Sequence, residues 1–117
     1  MKAFIQFEND IMQALLRKSD SKYIEQLKHQ YANICVKSRE FSGHGFFTHF
    51  YELDDKSLPL GEDINFELGG IIEAKMDSLK EGMGFVLFIR NGMIDMLEGF
   101  KYEDGLWWGD VDNYKIY

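Results

Sequence analysis

The sequence predicts an α+β fold, in which two N-terminal helices pack on an antiparallel sheet of five to six strands. Apolar residues first recur at helical spacing, and after about residue 33 the pattern changes to one typical of strands. An Asn-Gly pair between two apolar runs adds the strongest local signal for a β-hairpin. The chain has 117 residues, the length of one domain, so we expect residues 1–117 to form a single unit.

The first predicted helix spans residues 4–16, and its apolar positions share one helical face. These positions are Phe4, Phe7, Ile11 and Leu15. A second helix follows the polar turn at residues 19–21, where serine and aspartate oxygens are typical N-caps. Its apolar positions are Ile24, Leu27, Tyr31 and Ile34. Neither helix can bury its apolar face alone, so a second layer is expected.

Five further segments are predicted from composition. Residues 34–41 and 46–53 are rich in branched and aromatic side chains and favour strands, with a turn at residues 42–45 between them. A polar loop is expected at residues 54–63, and the last strand at residues 111–117.

The segment from Ile64 to Met76 is ambiguous. Its first half alternates like a strand, but Leu68, Ile72 and Met76 also have helical spacing. Two adjacent glycines, Gly69-Gly70, would cost a helix about 2 kcal/mol relative to alanine. We therefore favour a bent strand with a bulge at the glycines.

The predicted hairpin consists of residues 85–90, the turn Asn91-Gly92 and residues 93–98. A type I′ turn, which needs positive φ at both central residues, fixes the register of the two strands. The expected pairs are Ile89 with Ile94, Leu87 with Met96, Val86 with Leu97, and Phe88 with Asp95. Because both faces of the first strand are apolar, we expect the hairpin to be central and covered on both sides.

The net charge of −7 is unevenly distributed. Residues 1–53 carry seven basic and six acidic side chains, whereas residues 54–117 carry six basic and fourteen acidic ones. This distribution disfavours nucleic acids and anionic membranes and favours a cationic protein partner. The alternative is that the acidic surface only keeps the domain soluble. No apolar run reaches the roughly 18 residues of a membrane helix, and a single cysteine needs no oxidising compartment, so a cytoplasmic location is expected.

The sequence shows no catalytic, metal or cofactor motif. Cys35 lies in an apolar strand, where a free cysteine is usually buried, and His44 and His49 lack the spacing of metal ligands. The turn at residues 42–45 lacks the following helix that a phosphate loop needs. If the chain were an enzyme, His44, His49 and Glu98 would be the candidates.

Aromatic residues alternate with carboxylates near the C-terminal end, which is typical of protein-recognition surfaces. The acidic pairs do not match a calcium loop, and we expect them to stay solvated. One of the two adjacent tryptophans is expected to close the core. The predicted partner-binding residues are Asp95, Glu98, Tyr102, Glu103, Asp104, Trp107, Trp108, Asp110 and Asp112.

Two motifs resemble small bacterial proteins, some of them immunity proteins of polymorphic or contact-dependent toxin systems. They are Ser42-Gly43-His44-Gly45-Phe46-Phe47-Thr48-x-Phe50 and Gly82-x-Gly84-Phe85-Val86-Leu87-Phe88-Ile89-x-x-Gly92-x-Ile94-x-x-Leu97-Glu98-Gly99-Phe100-x-Tyr102. The resemblance covers residues 38–117. It implies a protein that binds and occludes a toxin and has no catalytic residue of its own.

The first functional hypothesis is therefore a non-enzymatic immunity protein that neutralises a cationic toxin domain, such as a nuclease. A small-molecule-binding or regulatory domain, with a ligand in the aromatic interior between helices and sheet, is the alternative. An enzyme is the third and least favoured possibility.

Overall fold

The computed structural model describes residues 2–52 and 59–117, and within them the predicted α+β fold is confirmed. Two helices precede a six-stranded antiparallel sheet with the strand order β1-β2-β5-β4-β3-β6. The elements are α1 (Lys2–Lys18), α2 (Ile24–Ala32), β1 (Ile34–Phe41), β2 (Gly45–Glu52), β3 (Phe66–Met76), β4 (Leu79–Arg90), β5 (Met93–Lys101) and β6 (Lys115–Ile116). The predicted loop at residues 54–63 is described only from Pro59 onward, so Asp54 and Asp55 lie outside the described residues.

The apolar face of α1 is buried as predicted, since its four predicted positions are at most 2% exposed. The predicted N-cap of α2 is wrong. Tyr23 occupies that position without a side-chain cap. The hydroxyl of Ser19 instead accepts a hydrogen bond from the amide of Ser21, and the hydroxyl of Ser21 accepts one from the amide of Tyr23. Ile34 is also not part of α2, because the helix ends at Ala32 and Ile34 begins β1.

Both helices pack on the same face of the sheet. Phe7 of α1 contacts Phe85 of β4 with ring centroids 6.0 Å apart, and Tyr31 of α2 lies 6.4 Å from Phe50 of β2. Both contacts lie on the same face of the sheet. Gly99 pairs with Phe46 of β2 and with Phe85 of β4, so these residues share a face, and Phe50 shares it because it follows Phe46 by four residues on one strand. The hydrophobic core therefore lies between the helices and this single face.

The hairpin turn is confirmed, but most of its predicted register is wrong. Asn91 and Gly92 have φ angles of 52° and 76°, as a type I′ turn requires, and Ile89 pairs with Ile94. Beyond that pair the register shifts by one residue at Asp95, so that Leu87 pairs with Leu97. The shift places Leu97, which is fully buried, beside Leu87 on the core face. The observed pairs replacing the predicted ones are Phe88 with Met96, Leu87 with Leu97, and Val86 with Glu98.

The ambiguous segment is a strand, as favoured, and the register of β3 shifts between Gly69 and Glu73, where Gly70 has a φ of 69°. The last strand is shorter than predicted. Asn113 has a positive φ, which interrupts the extended backbone, and the hydroxyl of Tyr114 donates to Asp10 of α1. The strand β6 is therefore limited to Lys115–Ile116, which pairs with Ala74 and Lys75 of β3.

A buried ion pair connects α1 to the sheet. Glu8 is 5% exposed, and Arg39 of β1 donates to its two oxygens over 2.9 and 2.7 Å. The hydroxyl of Thr48 in β2 donates to the same carboxylate. Hydrogen bonding to Glu8 raises the pKa of Arg39, against the opposing effect of its burial. Three elements are thereby fixed to one carboxylate, which orients α1 on the sheet.

Replacing Arg39 with Met should destabilise the fold by about 3–5 kcal/mol, because Glu8 would remain buried without its cation. The double variant Glu8→Leu with Arg39→Met should lose less stability than Arg39→Met alone, since it leaves no buried charge. Urea denaturation of the three proteins measures the difference. A double variant less stable than the single one would contradict this role of the pair.

The hairpin turn is enclosed by α2 and the segment after Pro59. The buried side chain of Gln30 donates to the carbonyl of Gly92 over 2.8 Å and accepts from the amide of Ile94 over 2.9 Å. The amide of Leu60 donates to the Gly92 carbonyl, and the Gly92 amide donates to Ile64. A Cβ at Gly92 would lie 2.5 Å from backbone atoms of Gly61.

The variant Gly92→Ala should therefore lose about 3 kcal/mol or more of stability, from positive φ and a backbone clash together. Gly105→Ala is a matched control, because Gly105 has a φ of 95° but no atom within 4 Å of its added Cβ. That control should cost only about 1 kcal/mol. Thermal or urea unfolding compares the two. Equal losses would show that the enclosure of the turn contributes nothing.

Candidate functional site

The second face of the sheet is not packed against either helix. We call it the open face and define it by six residues on the three central strands: Phe47, Val86, Phe88, Met96, Glu98 and Phe100. Cross-strand pairing places Phe47, Glu98 and Val86 in one row. The five apolar side chains of the open face neither belong to the core cluster nor pack against it. The prediction that the hairpin is covered on both sides is therefore wrong for the described residues.

Glu98 lies at the centre of the open face. It is half-buried between Phe47 of β2 and Val86 of β4. Within residues 2–52 and 59–117, no hydrogen bond or ion pair reaches its carboxylate. A carboxylate that is partly removed from water and has no partner costs free energy, which a cation from outside would recover.

Two carboxylates at the border of the open face have basic neighbours. Glu40 lies 3.1 Å from the Nε2 atom of His49, and Glu67 lies 3.7 Å from Arg90. The guanidinium of Arg90 also stacks over Phe88, 5.0 Å from its ring centroid. Glu98 differs from these two carboxylates because it lies at the centre of the face, between the apolar side chains of Phe47 and Val86, where a cation from outside could reach it.

The structure divides the predicted partner-binding residues into separate regions. Glu98 is on the open face, and Tyr102 lies at its end, with its ring 5.8 Å from that of Phe100. Asp95 forms the bulge of β5 and borders a shallow depression with Glu40 and His49. These three predicted residues lie on or beside the open face.

Trp107 is not a surface anchor. It is 4% exposed, packs near Phe4 and Phe46, and donates its indole N–H to the carbonyl of Asp110 over 2.6 Å. We remove it from the predicted site, because it has almost no surface to offer a partner. Trp108 points the other way and is 59% exposed, so one of the two tryptophans closes the core as expected.

Two predicted acidic residues have structural contacts. Asp112 accepts hydrogen bonds from the amide and hydroxyl of Ser78, over 3.1 and 3.0 Å, and Glu103 accepts from the amide of Glu81 over 3.0 Å. Both satisfy backbone amides beside β4. Asp104 and Asp110 have exposed side chains and are free of such contacts within the described ranges. The carboxylates of residues 103–112 therefore do not form one surface equivalent to that around Glu98.

The structure does not bring the possible catalytic residues together. His44 is exposed in the turn between β1 and β2, while His49 lies beside Glu40, and no hydrogen bond in the described part of the chain joins either histidine to Glu98. Cys35 is half-buried, not buried as predicted, because it pairs with Tyr51 at the edge of the sheet. A hydrogen bond between the side chains of Tyr51 and Cys35, in which the phenol hydroxyl donates to the sulfur, is the largest cause of the raised pKa of Tyr51.

The described residues contain no cluster of three or more His, Cys, Asp and Glu side chains that could hold a metal ion. The aromatic interior between helices and sheet is filled by packed rings, with the centroids of Phe4 and Phe46 4.9 Å apart. Of the helices described, none has the length and apolar character needed to cross a membrane.

Sequence reasoning missed five residues of the open face: Phe47, Val86, Phe88, Met96 and Phe100. Val86 and Phe88 alternate with buried core residues of β4, and a strand that is apolar on both faces is typical of burial on both faces. The observed register, which pairs Val86 with Glu98, is the signal that identifies the open face.

The chain matches no protein-family model, no curated protein and no solved structure. The resemblance to immunity proteins therefore stays a prediction.

Proposed function

We propose that this protein is a non-enzymatic binding protein that holds a basic protein partner on its open face. The observation that carries the proposal is the half-buried, unpaired carboxylate of Glu98 within a ring of apolar side chains. Contacts of this kind are typical of interface hot spots, where apolar neighbours exclude water from a central charged pair. A guanidinium or ammonium group of the partner would complete that pair.

The charge distribution supports the same class of partner. Residues 54–117 carry fourteen acidic and six basic side chains, and they include β4 and β5, which form most of the open face. An acidic field of this kind accelerates the encounter with a basic protein and disfavours acidic ones. Apolar contact and a central ion pair would then determine how long the complex lasts.

The immunity-protein resemblance suggests the biological class of the partner. A toxin domain that acts on nucleic acid needs a basic surface for its phosphate contacts, and a complementary acidic protein can occlude that surface. The proposed mechanism is occlusion: the open face covers the toxin's basic surface, Glu98 receives one of its cations, and no covalent step takes place in this chain.

Changing Glu98 to Lys should weaken binding by about 100-fold or more, because it removes the partner of a desolvated cation and adds repulsion. Asp104→Lys is a matched control, since it changes the charge equally at an exposed position that follows β5 and is not one of the six residues of the open face. That control should weaken binding by less than about fivefold, and high salt should remove its effect. The measurement is association and dissociation kinetics with candidate toxin domains from neighbouring genes, together with growth protection in cells that express them.

Equal losses in the two variants, with folding verified by circular dichroism, would reject the open face as the interface. Failure of the wild-type chain to bind and protect would reject the proposed function. As a control for catalysis, His44→Ala, His49→Ala and Cys35→Ser should keep their protection, whereas a loss above about 100-fold in a folded variant would indicate chemistry at that residue.

A further inference from the structure

A groove of about 410 Å³ extends the open face beyond Phe100, at the edge of the sheet where β3 meets the C-terminal strand. It has a floor of glycine backbone and aromatic walls, and it contains one carboxylate and one ammonium group. The lining residues that matter here are Gly70, Glu73, Lys75, Phe100, Tyr102 and Tyr117.

Glycine at position 84 gives the groove its shape. A Cβ built on Gly84 would lie 2.6 Å from both the ring of Phe100 and the hydroxyl of Tyr102. The two rings can therefore lie across the sheet at this point, where any side chain would lift them. Gly70 leaves the opposite side open, since no atom lies within 4 Å of an added Cβ.

The wall of the groove formed by Glu73 and Tyr117 is held in place by backbone hydrogen bonds. The amide of Tyr117 donates to the carbonyl of Glu73 over 2.7 Å, and the amide of Glu73 donates to the carbonyl of Tyr117 over 3.1 Å. Glu73 also pairs with Gly84, so it lies on the same face as the two rings. Burial and, second, the negative charge of Glu73 raise the pKa of Tyr102.

The groove already holds a cation of the chain itself. The ammonium of Lys75 lies over the ring of Tyr117, 5.8 Å from its centroid. This is the range in which an aromatic face attracts a positive charge. Lys75 is exposed, and a lysine side chain has several rotatable bonds. It can therefore move off the ring when a cation that binds the groove more tightly replaces it.

We propose that this groove is a subsite for an arginine side chain of the basic partner. The rings of Phe100 and Tyr102 are inclined by 70° to each other, so a planar guanidinium can stack on one of them, contact the edge of the other and pair with Glu73, which a compact ammonium does less well. Lys75 acts as the internal occupant that the arginine displaces. This inference rests on the proposed function for the source of the arginine, and its test uses no partner protein.

The test is a ¹⁵N NMR titration of the full chain with N-acetyl-arginine-N-methylamide. The neutral citrulline analogue is the matched control for shape, and the glutamate analogue tests an anion on Lys75. We expect saturable shifts at the amides of Gly70, Glu73, Gly84 and Tyr102 with the arginine compound, and at least about threefold weaker binding of citrulline. Equal binding of arginine and citrulline, stronger binding of glutamate, or no saturable shift would overturn the proposal.

Two variants that each remove one charge should change arginine binding in opposite directions. Glu73→Gln should weaken arginine binding by about threefold, and Lys75→Met should strengthen it by a similar factor because the internal competitor is removed. Gly84→Ala should abolish binding by lifting the two rings, without any change of charge. Weaker binding in Lys75→Met would overturn the proposed displacement. Arginine binding in the groove, together with failure to protect against the toxin, would reject the proposed function but not the subsite.

Discussion

The position of both helices on a single face of the sheet is the constraint on which the rest of the structure depends. The chain has 17 residues in α1 and nine in α2, and both helices direct their buried residues to the same side. Two buried polar contacts hold them there. Glu8 binds Arg39 and Thr48 from α1, and Gln30 binds the hairpin from α2. Because buried polar groups lose much free energy when unpaired, these contacts oppose any movement of the helices to the other face.

The consequence is a central sheet surface that remains accessible. Apolar side chains on it lie outside the core, and Glu98 lies among them without a partner in the described part of the chain. The groove beside Phe100 continues this surface to the sheet edge and adds aromatic rings and a second carboxylate, that of Glu73. A partner that contacts both would need a basic surface with at least two separated cations. A surface that is only acidic would bind many basic partners. Two cations at a fixed separation are a stricter requirement, which fewer partners meet.

Local patterns predicted the fold well because they depend on neighbouring residues. The helical spacing of α1, the bulge at Gly69-Gly70 and the turn at Asn91-Gly92 all follow from short-range backbone preferences. Contacts between distant residues were not predictable in this way. Arg39 and Glu8 are 31 positions apart, and the bulge at Asp95 depends on which face the helices cover. For the same reason, Trp107 was assigned to the surface and Val86 to a covered face, since both assignments require the tertiary packing.

The most direct test of the central claim is a cross-saturation NMR footprint of the labelled chain bound to a basic protein partner, for which a nuclease toxin domain is the proposed class. Saturation of the partner should reduce signals of Val86, Met96 and neighbouring amides of β4 and β5, and leave the exposed side of α1 around Ile5 and Gln13 unchanged. A footprint on α1, with the signals of Val86 and Met96 unaffected, would contradict the assignment of the open face as the binding surface.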